Sequence, residues 1–127
     1  MNNQTQLLLK ETESIKNELI AFRRHLHKNP EVGTNVPNSI NFIKNELTKI
    51  GYNPKVIANA GVLVEIGKRI NDKVYLIHAD FDGLKIQEET NLEFKSTNGN
   101  MHACGHDMNA AMLFGAAKLL MKYKDKI

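Results

Sequence analysis

An internal disulfide needs two cysteines, and this 127-residue chain has one, Cys104. That excludes a disulfide-stapled fold and predicts a reducing, cytoplasmic setting. Long apolar runs are missing too. Leu7-Leu8-Leu9 is too short for a signal-peptide core and ends at Lys10-Glu11. No stretch approaches the roughly 20 apolar residues of a membrane span, so no membrane partner is expected. Charge is not concentrated either. The net charge is +3, the lysines are scattered, and the longest basic cluster is Arg23-Arg24 with His25 and Lys28. No nucleic-acid partner is expected from that distribution. Internal repeats and low-complexity linkers are absent. An apolar fraction of 42% and a charged fraction of 24% fit an ordinary globular domain, or part of one.

What is present divides into helical and extended periods. Residues 5–28 read as one helix, with Ile15, Leu19, Phe22 and Leu26 on a single face, stopped at Asn29-Pro30. Residues 31–36 form a loop containing Gly33. Pro37 opens a second helix whose stripe is Ile40, Ile43, Leu47 and Ile50, with Gly51 as its C-terminal cap. Extended segments follow at 53–58, 62–66 and 74–79, separated by turns at 59–61 and 69–72. The third is nearly all apolar, which predicts a strand central in its sheet. A polar loop spans residues 80–105, and long loops in compact domains are usually functional. The final helix carries Met112, Leu113, Ala116, Leu119, Leu120 and Tyr123 at helical spacing. Its small residues, Ala110, Ala111, Gly115, Ala116 and Ala117, predict close packing on a sheet. Helix, helix, strands, helix predicts an α/β layered domain.

Chemistry concentrates in Met101-His102-Ala103-Cys104-Gly105-His106-Asp107, directly before the last helix. Thiolate, imidazole and carboxylate suit a transition metal. In an extended loop Cys104 and His106 point the same way and can reach one metal or adjacent metals. The alternative for Cys104 is a small buried apolar side chain. His102 reads as supporting or structural. Asp107 reads as the helix N-cap, able also to orient His106. A second group, His78-Ala79-Asp80-Phe81-Asp82, ends the third extended segment, where sites gather in open α/β sheets. His78, Asp80 and Asp82 share a face there; the alternative is a strand end with solvated carboxylates. His25 and His27 do not face each other on a helix, so His27 reads as structural and the arginine pair as surface. Glu88-Glu89 reads as a solvated loop pair, with base and ligand as the alternative.

Three motifs stand in order: R-R-H-L-H-K-N-P-E-V-G at 23–33, H-A-D-F-D-G-L-K-I-Q-E-E-T at 78–90 and M-H-A-C-G-H-D at 101–107. Together they resemble the metal-dependent amidohydrolases. That family includes N-acyl-amino-acid amidohydrolases, hippurate hydrolases, indole-acetyl-amino-acid hydrolases and N-acetyldiaminopimelate deacetylases. The resemblance covers essentially the whole chain after Thr12. It implies a layered, zinc-peptidase-like catalytic domain with two divalent metal ions, zinc, manganese or similar. It also implies cleavage of the amide bond in a small N-acyl amino acid substrate. By the resemblance, Cys104 and His106 match metal ligands, and Asp80 matches a supporting residue near the metals. His78 stands where the family usually has Arg. A His there resembles the H-x-D motif of related metallopeptidases, which makes His78 a further candidate ligand. Asp82-Gly83-Leu84-Lys85 replaces the family's D-A-L-P, and Asn109 replaces a second His.

In the family, a Glu-Glu pair of base and ligand, further ligand histidines and a smaller inserted domain follow the last motif. After Asp107 this chain has no histidine and one acidic residue, Asp125. The resemblance therefore implies that residues 1–127 are the N-terminal part of the catalytic domain, with no complete second domain. Such a part is expected to be weakly active or inactive alone. Its expected partner is a complementing C-terminal chain or a second copy of itself. Two other readings stay open. One is a non-enzymatic remnant that binds metal or protein. The other is a hydrolase using Cys104 with His102 or His106 as thiolate and base.

Overall fold

The computed structural model describes residues 3–68 and 73–127. Hydroxyl side chains divide the first helical segment in two. Helix α1 (Asn3–Ser14) gives way to α2 (Lys16–Lys28) at Ile15. Just before it, Thr12 Oγ1 donates to the Leu8 carbonyl (2.8 Å) and Ser14 Oγ to the Glu11 carbonyl (2.7 Å). Such back-bonding competes with the helical ladder and bends it. The single helix expected over 5–28 is therefore two. Its apolar stripe holds: Ile15, Phe22 and Leu26 are buried, and Leu19 packs on the core.

Helix α3 (Pro37–Lys49) begins with its proline in the first turn. It ends as expected at Gly51, whose φ of +99° is readily reached without a Cβ. The Gly51 N–H donates to the Thr48 carbonyl (3.0 Å) and the Tyr52 N–H to the Leu47 carbonyl (3.1 Å). Tyr52 and Leu47 both lie in the core, the apolar contact that accompanies this kind of cap.

Strands β1 (Lys55–Ile57) and β2 (Gly61–Leu63) form an antiparallel hairpin with Val56 opposite Val62. Ala58 and Asn59 take the left-handed conformation in its turn. Both strands are shorter than their apolar segments. The expected third strand does not form. Residues 74–79 pair with no strand among the described residues, and Val74, Tyr75, Leu76 and Ile77 are 72%, 88%, 81% and 63% exposed. A central strand needs a neighbour along each edge, and the described residues offer none. The expected turn at 69–72 lies outside the described residues. The described fold is thus four helices and a two-stranded sheet, part of a layered α/β domain.

Helix α4 (His106–Lys122) packs mainly on α2. Its buried face is Asp107, Ala110, Ala111, Phe114, Gly115 and Ala117, while Met112 is 58% exposed. The expected stripe through Met112 and Leu113 is thus rotated off the core. An almost wholly apolar helix does not specify its buried face by period alone; close approach to α2 selects the small residues. A Cβ on Gly115 would fall 3.1 Å from the Leu19 methyl groups. Phe22 stacks on Phe114 with ring centroids 4.4 Å apart and planes 9° apart. Tyr52 Oη donates to the Ala117 carbonyl (2.9 Å). Phe114→Ala is expected to destabilise the chain by about 3–5 kcal/mol, read from urea unfolding. A loss below ~1 kcal/mol would show that this stack is not the centre of the core.

Candidate metal centre

The polar segment 80–105 has almost no regular structure, yet it is tied down at several points. The Gly83 N–H donates to the Glu31 carbonyl (2.6 Å), and Leu84 and Met101 exchange two backbone bonds of 2.9 Å. Asn98 and Asn100 both donate from Nδ2 to the Pro30 carbonyl (3.0 and 3.2 Å). A Cβ on Gly83 would fall 2.8 Å from Pro30 Cβ, which accounts for glycine where the resembled family has alanine. The Glu31 carboxylate accepts from the Asn38 and Ser39 N–H groups (3.2 and 2.7 Å) at the start of α3. An acid at a helix N-terminus is electrostatically favoured.

These ties bring His106, Asp80 and Asp82 to one edge. His106 Nδ1 lies 2.9 Å from Asp82 Oδ1 and 3.0 Å from the Asp82 carbonyl. Both are acceptors, so Nδ1 carries a proton. Nε2 is turned toward Asp80, 4.0 Å from Asp80 Oδ2. His78 Nε2 stands 3.8 Å from Asp80 Oδ1, and both side chains are mostly exposed. Cys104 is exposed and free, so it is not a buried apolar side chain. A soft thiol, an imidazole oriented through its other nitrogen and adjacent carboxylates form a donor set that suits a divalent transition metal. Among the described residues no three His, Cys, Asp or Glu converge closely enough to hold an ion by themselves.

Asp107 does not cap α4. The cap position is Gly105, in the left-handed conformation and without a side-chain bond, and Asp107 sits in the first turn, 1% exposed. It accepts from Arg23 Nε (2.9 Å) and lies 2.9 Å from His27 Nδ1. It therefore orients His27, and Asp82 orients His106. The other His27 nitrogen, Nε2, lies 3.0 Å from Glu88 Oε1. Glu88 is not solvated: it is 2% exposed and accepts from Thr90 Oγ1 (2.5 Å) and the Ser96 N–H (2.7 Å). Glu89 is the exposed member of that pair. Nothing in the local spacing of Glu88-Glu89 signals which of the two turns inward. His27 is structural, as its place at a helix end suggested, but it is bonded at both nitrogens to residues 61 and 80 positions away.

His102 is 4% exposed, and neither ring nitrogen has a hydrogen-bond partner. The Leu26 carbonyl is near enough to favour a charged ring but outside hydrogen-bond geometry. Burial holds His102 below the usual imidazole range, against the pull of Asp107, and the neighbouring His27 and His106 rings push it the same way as burial. His102 is not bonded to the Cys104 thiol, and the His106 nitrogen that meets a partner meets Asp82. The thiolate–imidazole pair of a cysteine hydrolase is therefore not formed.

Burial pushes the Glu88 carboxyl up, but the bonds from Thr90, His27 and Ser96 and the His27 charge outweigh it and hold the group at about 2. A depressed carboxyl contributes stability that is complete above its unfolded value of 4.5 and is lost as pH falls toward 2. The stability gap between the chain and Glu88→Gln is expected to be largest near neutral pH and to shrink across that acid window. Urea unfolding at stepped pH reads it; a gap independent of pH would contradict the assignment.

Residues 76–127 match the model of Peptidase family M20/M25/M40. The chain is 38% identical over 117 residues to an N-acyl-L-amino acid amidohydrolase of Geobacillus stearothermophilus, covering 91% of this chain and 32% of that protein. It is 39% identical over 123 residues to the IAA-amino acid hydrolase ILR1-like 5 of Arabidopsis thaliana, covering 95% of this chain and 28% of that protein. Its fold superposes on a dinuclear metal-binding peptidase of the M20 family from Bacillus subtilis with a TM-score of 0.83 at 36% identity. That match covers 91% of this chain and 33% of the other. The chain spans about a third of the length of the curated relatives it matches. Along most of its own length the chain is similar to proteins named as amidohydrolases and to a dinuclear metal-binding peptidase of the M20 family.

Proposed function

We propose that this chain supplies the Cys104 and His106 side of a two-metal centre that hydrolyses the amide bond of small N-acyl amino acids in the cytoplasm. The observation that carries the reading is the His106 ring: its Nδ1 is held by Asp82, which turns Nε2 outward to a partly exposed edge beside Asp80. Cys104, exposed two residues earlier, is the second ligand. Asp80 is the supporting carboxylate, and His78, 3.8 Å from it, is a further ligand. Zinc or manganese, once bound, would lower the pKa of a water and polarise the scissile carbonyl. The chain's own part is to hold donors of the right softness in place. Glu88 is not available as the general base, since both of its oxygens are already bonded in the interior. The amide substrate follows from the relatives, among them an N-acyl-L-amino acid amidohydrolase and an IAA-amino acid hydrolase.

Elemental mass spectrometry of the purified chain tests the centre. Bound zinc or manganese is expected, and Cys104→Ala or His106→Ala is expected to lose most of it. Equal metal in all three proteins would remove Cys104 and His106 from the centre. Turnover of N-acetyl amino acids by the chain alone is expected to be at background, because among the described residues no three donors converge on one ion and Glu88 is already bonded. Clear metal-dependent turnover would overturn that half of the reading.

A second reading, an interaction module, has its own observation. Val74-Tyr75-Leu76-Ile77 is apolar on both faces and exposed on both. It borders a groove of about 330 Å³ shared with Met112 and Leu113 of α4. Exposed apolar patches of this kind mark association surfaces. The partner proposed here is a complementing chain or a second copy. Light scattering is expected to show species above the monomer, and Leu76→Lys is expected to reduce them. A native chain that stays monomeric at high concentration would sink the self-association arm. No helix among the described residues is long and apolar enough to cross a membrane.

A further inference from the structure

Cys104 and His106, proposed above as ligands, stand on the loop before α4 and on its first turn, which local backbone bonds such as Gly105 N–H to the His102 carbonyl (3.0 Å) close without a side-chain cap. The α4 cap is a glycine that offers no side-chain acceptor to the free N–H groups of the helix start. What anchors that turn is the residue after His106. Asp107 is buried and held from α2, by Arg23 Nε and His27 Nδ1, each 2.9 Å from the same oxygen. On its other side the His27 ring meets Glu88, which gathers Thr90 and Ser96 of the long loop. One ring therefore joins α2, the start of α4 and the loop that also carries Asp80 and Asp82.

The donor arithmetic sets the state of that ring. Ionised carboxylates only accept, so contact with Asp107 and Glu88 at once requires an N–H on both nitrogens. A ring protonated twice also balances the buried charge: Arg23 and His27 against Asp107 and Glu88. A neutral ring would aim a lone pair at one carboxylate and leave a buried negative charge uncompensated. The remaining neighbours do not compete. Phe94 meets the ring edge-on at 5.3 Å, and the His102 ring lies 6.4 Å away with no bonded nitrogen.

We infer that His27 is a positioning residue for the metal half-site: by bonding Asp107 through Nδ1 and Glu88 through Nε2, it holds the His106 turn in register with the loop bearing Asp82. The inference rests on the reading of Cys104 and His106 as ligands. His27 touches neither metal nor substrate.

The test uses the whole chain, His27→Gln and Glu88→Gln, with two readouts. Ring nitrogen NMR shifts report the tautomer of His106, expected as the Nδ1–H form in the native chain. Cobalt(II) titration, followed by thiolate-to-cobalt absorption, reports affinity. In both variants His106 is expected to drift to mixed tautomers and cobalt affinity to fall about tenfold, while the helical circular dichroism is unchanged. An unchanged His106 tautomer and unchanged cobalt affinity in a folded variant would overturn the inference. If His27→Gln does not fold, Glu88→Gln decides, because it leaves the Arg23–Asp107 pair intact. The two proposals fail separately. A native chain that binds no cobalt, with variants that still disturb His106, sinks the metal reading and supports the positioning role. Retained cobalt binding with an undisturbed His106 sinks the positioning role alone.

Discussion

Among the described residues two carboxylates lie in the interior, Asp107 at 1% and Glu88 at 2% exposure, and each needs a donor that water cannot supply there. His27 meets both from opposite sides of one ring, and Arg23 shares Asp107. Removing a partner from such a cluster leaves a desolvated charge, which is far more costly than removing a contact at the surface. The consequence is geometric. The segments joined, α2, the 80–105 loop and α4, are distant in sequence, and among the described residues no sheet aligns them. The buried ion cluster adds to the few backbone bonds that tie the loop down.

The chemistry sits outside this cluster. Asp80, Asp82, His78, His106 and Cys104 face solvent or its margin, whereas His27, Glu88, Asp107 and His102 are buried. A carboxylate that already accepts two or three short bonds has little left to offer an ion or a proton. Of the buried groups named, only His102 has no bonded polar atom. This division sets exposed donor atoms apart from the buried His27, Glu88 and Asp107, which bond one another.

Packing repeats the pattern. The aromatic stack of Phe22 and Phe114 and the close passage of Gly115 beside Leu19 bring α4 hard against α2. The His27–Asp107 bond lies on that same interface, near the end where His106 begins the helix. Apolar contact sets the distance between the two helices. The ion cluster sets their register at the site.

Much of this was legible in the chain itself. The stripes of α2 and α3, the proline start and glycine stop of α3, and the grouping of Cys104 with His106 before a helix all follow from local rules of period, capping and ligand chemistry. Family likeness was legible as well, because its motifs are contiguous. Three things were not. The exposed run at 74–77 reads as a buried strand, since apolar composition specifies a need for neighbours without saying whether the described residues provide them. The buried face of α4 is ambiguous in a helix apolar nearly all round, and only the approach of α2 selects it. The roles of Glu88 and Asp107 depend on a histidine 61 and 80 residues away, a distance no local spacing encodes. Sequence alone determined which residues can bind, cap and pack. Tertiary structure decided which carboxylates lost their water, because burial belongs to segments that meet only in the folded chain.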